Sequence, residues 1–398
     1  MEARILFLMM SVSSILAFAC SGASNKSGIA DLIEIDISSQ KYPVKELYLQ
    51  DIAKVEYIPL ETNMNTLISG SVRIVHVSDD YIIASNIIDG DIFVFNGKGK
   101  SKFSFNHKGR GPMEYNQLYS IFFDEKAKEI FIFDGYSVTP QFLVYNEDGK
   151  FKRTLSVTSS FSPRDVYDLD EETFLVYDVW GLNNNMYSKK PYVFISKKDG
   201  STVDTLDVYL SERISNRVFF EVEVNGQKGM MPITLDIPNN RSYGKNILIV
   251  DWTLDTIYRL TPKKELFPLI VRKPSAQNSN PKMIISNALI TDKFILFTKA
   301  ILDFEMAKSK NTFTSMALMY DFKTNQLYEY KLLNKDFDKS GVAFATARTP
   351  ENTGVFRLDI APLFEADKEG RIKGELKELL KTLKEDDNPI LVKIMFYF

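Results

Sequence analysis

The chain has 398 residues and a formal net charge of −3, from 49 basic and 52 acidic side chains. It carries no surplus positive field for phosphate backbones, which argues against nucleic acid as a partner. With 44% hydrophobic and 25% charged residues it has the composition of a globular protein with a large core, and its one cysteine, Cys20, excludes internal disulfides and cysteine-rich metal sites.

At the amino end Arg4 precedes an apolar core and then small residues up to Cys20, the pattern of a bacterial export signal over residues 1–19. The segment is too short to span a bilayer. Ala17-Phe18-Ala19-Cys20 resembles a lipobox, although Leu16 lies four residues before the cysteine where the common pattern has leucine three before. That resemblance implies lipidation of Cys20 and a membrane partner held through the lipid; the alternative is an ordinary signal peptide with an incidental cysteine. Ser21 after the cysteine agrees with outer-membrane sorting, and no acidic run follows to direct surface export. The expected location is the bacterial cell envelope, in the outer membrane and facing the periplasm, with surface exposure as the alternative. Residues 20–31, rich in Ser, Gly, Ala and Asn, read as a flexible tether, and residues 32–398 as a single folded domain.

From there a short apolar stretch, usually closed by Asp or Asn, recurs in pairs. First members start at Tyr81, Ile130, Phe174, Ile247 and Phe294, and second members at Ile92, Phe142, Tyr192, Ile257 and Ala317, the latter in steps of 50, 50, 65 and 60 residues. Apolar strands without alternation are expected where both faces of a sheet are covered, as between the blades of a β-propeller. Lys98-Gly99, Asp148-Gly149 and Asp199-Gly200 after second members supply hairpin turns. Five units are visible. A sixth is implied by residues 341–348, 354–359 and 390–398, so the expected fold is an all-β, six-bladed β-propeller closed by pairing of an N-terminal strand with the C-terminal one. Seven blades are the alternative, with a degenerate blade near residues 219–224. Near the end, Leu376, Leu379, Leu380 and Leu383 form one stripe of a helix predicted over 373–385 and packed on the last blade.

Between His107 and Thr154 the order Gly109-Arg110-Gly111-Pro112-Met113-Glu114-Tyr115, apolar strand, IFIFD, FLVYN, Asp148-Gly149-Lys150 is similar to an NHL-type repeat. Together with VEYIPLE at 55–61 and Asp387-Asn388-Pro389, it resembles the six-bladed β-propeller lipoproteins of Bacteroidetes-type bacteria. Met113 stands where that family more often has glycine. The resemblance implies fold and compartment and no particular reaction.

Catalytic motifs are scarce. The two histidines, His76 and His107, fall on different predicted blades without ligands at metal spacing, and no Walker, G-x-S-x-G or H-E-x-x-H sequence occurs, so no cofactor or metal is expected. Gly109, Arg110, Gly111, Pro112 and Glu114 read as a structural turn between blades, since Pro112 removes a donor that a phosphate loop would need. Asp168, Asp170 and Glu171 read as solvated turn residues. Trp252 reads as packed between blades. Long insertions at 180–191 and 299–315 are predicted on one face of the disc, where Trp180 and Tyr187 beside Asn183, Asn184 and Asn185 would stack on and hydrogen-bond a sugar or peptide. The expected function is a non-catalytic binding or scaffold module of the envelope for a glycan, peptide or protein partner. The alternatives are a propeller enzyme, either a lyase or a glycoside hydrolase, and a structural subunit that docks through the leucine stripe.

Overall fold

The structure, a computed structural model, describes residues 32–397 except 69–71, 119, 135–139, 158–162, 179–188, 211, 215–216, 225–226, 235–240, 311, 343 and 346. It is an all-β propeller in which five blades of four strands or more are detected. The first blade comprises Val72–Val77, Tyr81–Asn86, Asp91–Asn96 and Ser101–Phe105, and the second Ser120–Asp124, Glu129–Asp134, Gln141–Asn146 and Phe151–Ser156. The third holds Pro163–Asp168, Thr173–Asp178, Tyr192–Ser196 and Thr202–Thr205. The fourth has Arg241–Tyr243, Asn246–Ile249, Thr256–Leu260 and Leu266–Lys273, and the fifth Lys282–Ile290, Phe294–Leu302, Thr314–Asp321 and Gln326–Asn334. All ten apolar repeats lie in the second or third strand of a blade.

Those strands are apolar on both faces because both faces are covered. Every residue of Tyr81–Asn86, Glu129–Asp134 and Thr173–Asp178 is buried. The closing Asn or Asp has a separate task, since the Asn96 side chain accepts from the Lys98 and Lys100 amides at 3.0 and 2.9 Å, and Asn146 does the same for Asp148 and Lys150 at 3.1 and 2.8 Å. These side-chain bonds hold the turns in which Gly99 and Gly149 take φ of +78° and +72°, angles at which any Cβ would be strained.

Beyond the five blades stands a three-stranded sheet of Thr353–Leu358, Ile390–Phe396 and Ala53–Pro59. Ala53–Pro59 runs antiparallel to Ile390–Phe396 over seven residue pairs, from Ala53 opposite Phe396 to Pro59 opposite Ile390. Ahead of it the N-terminal segment runs along two outer edges, with Ile33–Asp36 parallel to Leu266–Lys273 and Val44–Tyr48 parallel to Gln326–Asn334. Edges that would otherwise invite foreign strands are thereby paired. Apolar clusters join each sheet to the next, and the three-stranded sheet packs on the fifth blade through Phe356, Val392 and Leu296 and on the first through Leu391, Val355 and Phe95.

Several expectations change. Among the described residues a sixth four-stranded blade is not detected, and the candidate seventh is a two-stranded hairpin, Arg217–Val224 with Gln227–Thr234, rather than a blade. The insertion at 299–315 is not an open loop. Its flanks extend the strands Phe294–Leu302 and Thr314–Asp321, and the helix Phe304–Lys310 between them places Ala307 with Phe313 on Trp252. Trp252 is buried there, between the fourth and fifth blades. The predicted C-terminal helix is shorter, Gly374–Leu380, and an unpredicted helix, Ile360–Lys368, precedes it. Leu376 and Leu380 are buried in the core of the three-stranded sheet, with Leu379 and Leu383 packed against it. Among the described residues no helix is long and apolar enough to cross a membrane.

Candidate functional site

Polar residues collect where the first strands of successive blades end. His76 lies near the end of Val72–Val77, Asp124 closes Ser120–Asp124 with Glu125 following, and Asp168 closes Pro163–Asp168. Arg348 joins them from the segment before Thr353–Leu358. The Val77 amide donates to the Arg348 carbonyl at 2.9 Å and the Arg348 amide to the Val75 carbonyl at 3.0 Å, a parallel contact that fixes the guanidinium beside the first blade.

From that anchor Arg348 reaches the third blade, where its guanidinium donates to Asp168. The other oxygen of Asp168 accepts from Lys197 Nζ at 2.5 Å, and the same ammonium donates to Asp124 at 2.5 Å. Lys197 is only 6% exposed, and those two carboxylates offset the cost of burying its ammonium. The chain Arg348, Asp168, Lys197, Asp124 ties three sheets together across the channel. Asp168 is therefore not a solvated turn residue. Asp170 is the turn residue of that group, its side chain accepting from the Glu172 and Thr173 amides at 2.8 and 2.7 Å.

At the same end His76 Nε2 lies 2.9 Å from Glu125, whose other oxygen accepts from Ser78 at 2.9 Å. The bond with His76 holds the Glu125 carboxyl below its ordinary range; partial burial opposes this, while Ser78 and the nearby charges of His76 and Arg348 reinforce it. His76 Nδ1 is buried without a hydrogen-bond partner among the described residues. A channel cavity of ≈ 120 Å³ touches Arg73, His76, Asp165, Asp168, Ser242 and Arg348, and a wider one of ≈ 710 Å³ opens at the mouth between His76, Glu125, Lys245, Arg348 and Glu351. Among the described residues no group of three His, Cys, Asp or Glu is placed to hold a metal.

The glycine-containing turn is built differently. Glu114 folds back so that its carboxylate accepts from the Gly111 amide at 2.8 Å, and a Cβ on Gly109 would fall 1.9 Å from that carboxylate. The Gly109 amide donates to the Tyr115 carbonyl at 3.0 Å, and the Tyr115 hydroxyl, itself buried, donates to the Gly90 carbonyl at 2.6 Å. Burial raises the Tyr115 hydroxyl far above its ordinary range, so it stays a donor. Arg110 and Pro112 are exposed on the outside of the turn. His107 is occupied here too, 2.8 Å from the Gly149 carbonyl and stacked on Tyr145.

Trp180, Asn183, Asn184 and Tyr187 lie outside the described residues, as does Cys20. In chain order Trp180, Asn183, Asn184 and Tyr187 fall between the strands Thr173–Asp178 and Tyr192–Ser196. Sequence reading missed Lys197, Arg348 and Glu125. The available signals were an Asp closing two successive first strands and a lysine directly after the apolar run YVFIS.

The fold is shared with a solved structure from Bacteroides fragilis described as that of an exported protein, with 17% identity and a TM-score of 0.60 over 92% of this chain and 100% of that one. A member of the DUF4221 family from Bacteroides vulgatus has 8% identity and a TM-score of 0.43 over 87% of this chain and 97% of that one. A catalytically inactive virginiamycin B lyase from Staphylococcus aureus has 12% identity and a TM-score of 0.38 over 87% and 100%. No curated protein matches the sequence. Residues 32–395 match the family described as a domain of unknown function, DUF4934, and because that match takes in nearly all of the described fold, the chain belongs to DUF4934.

Proposed function

We propose that this protein is an exported β-propeller of the bacterial envelope that binds a glycan, peptide or protein partner without catalysing its turnover. The observation that carries this reading is the mutual occupation of the channel charges. Lys197 and Arg348 are held by Asp124 and Asp168, so these two channel carboxylates are engaged as structural partners rather than free to serve as acid and base. A rigid disc with its interior neutralised is a scaffold for loops, which is where recognition tends to reside.

We further read the three-stranded sheet as the sixth blade of a single domain over 32–398, residues 107–154 as an NHL-like unit, and Gly109 to Glu114 as its structural turn. Lipidation of Cys20 would anchor the protein in the outer membrane facing the periplasm. The apolar leader supports this reading, as does the shared fold with a protein described as exported. Trp180, Asn183, Asn184 and Tyr187 remain the proposed recognition residues. A glycan and peptide array probed with the full-length chain, and again with Trp180→Ala and Tyr187→Ala, tests this; binding unchanged in both variants removes that face.

A propeller lyase is the second reading, favoured by the His76 to Glu125 contact, which has the geometry of an oriented general base. Mass spectrometry of a bound ligand recovered intact or cleaved separates the two. The structural-subunit reading loses its first surface, because Leu376 and Leu380 already face the core.

A further inference from the structure

The mouth cavity of ≈ 710 Å³ is within the range of small-ligand sites, and its walls carry both signs of charge. Lys245 and Glu351 are exposed on the turns 244–246 and 349–351, and neither has an ion-pair partner among the described residues. Arg348 gives one nitrogen to Asp168 and is still 26% exposed, so donors of its planar fork remain for a ligand carboxylate. Glu125 is 34% exposed after bonding His76 and Ser78. His76, which is 5% exposed, lines both cavities, and its buried Nδ1 has no hydrogen-bond partner among the described residues. Native proteins rarely leave such an atom unsatisfied.

We propose that this mouth binds a short peptide with free amino and carboxyl ends, its ammonium between Glu125 and Glu351 and its carboxylate on Arg348 and Lys245. The inference rests on the binding reading above and adds a second site, built from residues other than Trp180, Asn183, Asn184 and Tyr187. A peptide fits better than a glycan because the described lining holds no Phe, Tyr or Trp on which a sugar ring would stack. Charges of both signs within one lining suit a zwitterion better than a plain anion or cation.

Titration calorimetry on the full-length chain with trialanine, N-acetyl-trialanine and trialanine amide tests this. Trialanine binding is expected, with each capped form weaker by about tenfold or more, the effect of losing one charge-assisted hydrogen bond. Lys245→Ala and Glu351→Ala, both on exposed turns, should each weaken trialanine binding, the first leaving the amide form unaffected and the second the acetylated form. Trp180→Ala should leave trialanine binding unchanged, so that failure of the loop face and failure of the mouth are told apart. No binding of trialanine at millimolar concentration, or equal binding of all three peptides, overturns the proposal.

Discussion

Replacing Lys197 with methionine measures how strongly the channel charges hold the fold. The ammonium is 2.5 Å from a carboxylate of the second blade and 2.5 Å from one of the third, and all three side chains are nearly buried, at 8, 6 and 11% exposure. At an effective dielectric of about 20 each contact corresponds to about 6–7 kcal/mol of attraction. Transferring the lysine from water costs several kcal/mol, which offsets part of that. Lys197→Met removes the attraction and leaves Asp124 and Asp168 facing each other without the cation, so the expected loss is about 3–5 kcal/mol at pH 7. Arg348 still holds Asp168, which keeps the estimate from rising further. Urea unfolding followed by circular dichroism reads the change. Combining Lys197→Met with Asp124→Asn removes one stranded charge, and the double variant should be less destabilised than the sum of the two singles. A loss below about 1 kcal/mol for Lys197→Met, with no coupling to Asp124→Asn, would refute the claim that these groups act as structural partners.

Other outcomes follow from the same contacts. Asn388 is buried and its side chain donates to the Glu61 and Thr66 carbonyls at 2.9 and 2.6 Å and accepts from the Ile68 amide at 2.7 Å. Asn388→Ala should cost about 2–3 kcal/mol in urea unfolding, whereas an unchanged midpoint would show that the 61–68 loop holds itself. Truncation after Pro389 removes Ile390, Leu391, Val392, Ile394 and Phe396, all buried, and the lost burial of about 1.5–3 kcal/mol each rivals the whole stability of a domain. Calorimetry should then show no cooperative transition; one resembling that of the intact chain would mean the sheets do not depend on this strand. Burial by itself would raise the Glu129 carboxyl, but its bonds with Arg153 and Lys152 outweigh this and hold it below the ordinary range, as His76 holds Glu125. Carboxyls depressed in the folded state contribute stability that is complete above their unfolded values, near pH 4.5, and lost as pH falls through the folded ones. Unfolding free energy should therefore fall below about pH 4.5, less steeply in Glu129→Gln; a flat profile from pH 6 to 3 would contradict the assignment.

Fold class was legible in the sequence because its cause is local and repeated. IFIFD and FLVYN are apolar at consecutive positions, which a strand tolerates only when covered on both faces, and Asp148-Gly149 after the second gives the turn its positive φ. The leucine stripe of 376–383 was legible for the same reason, as periodicity alone indicates a buried helix face. The helix Ile360–Lys368 was not, because it is short and carries Pro362 in its first turn. Nor does local pattern tell whether an insertion such as 299–315 stays open or folds onto Trp252.

The candidate site was hidden for a deeper reason. Arg348 and Asp168 are 180 residues apart, and Lys197 meets Asp124 across 73. Each alone looks like a turn or surface residue, and Asp168 looks so even among its neighbours. Burial of a charge is a property of what surrounds it, and in a propeller the surroundings of an inner-strand terminus come from other blades. The repeat of apolar strands, the turn chemistry and the two end motifs were thus written in the chain itself, through spacings of a few residues. Which charges meet at the axis and which face they open on were decided only when the sheets closed on one another, because only that closure brings distant residues within hydrogen-bond reach.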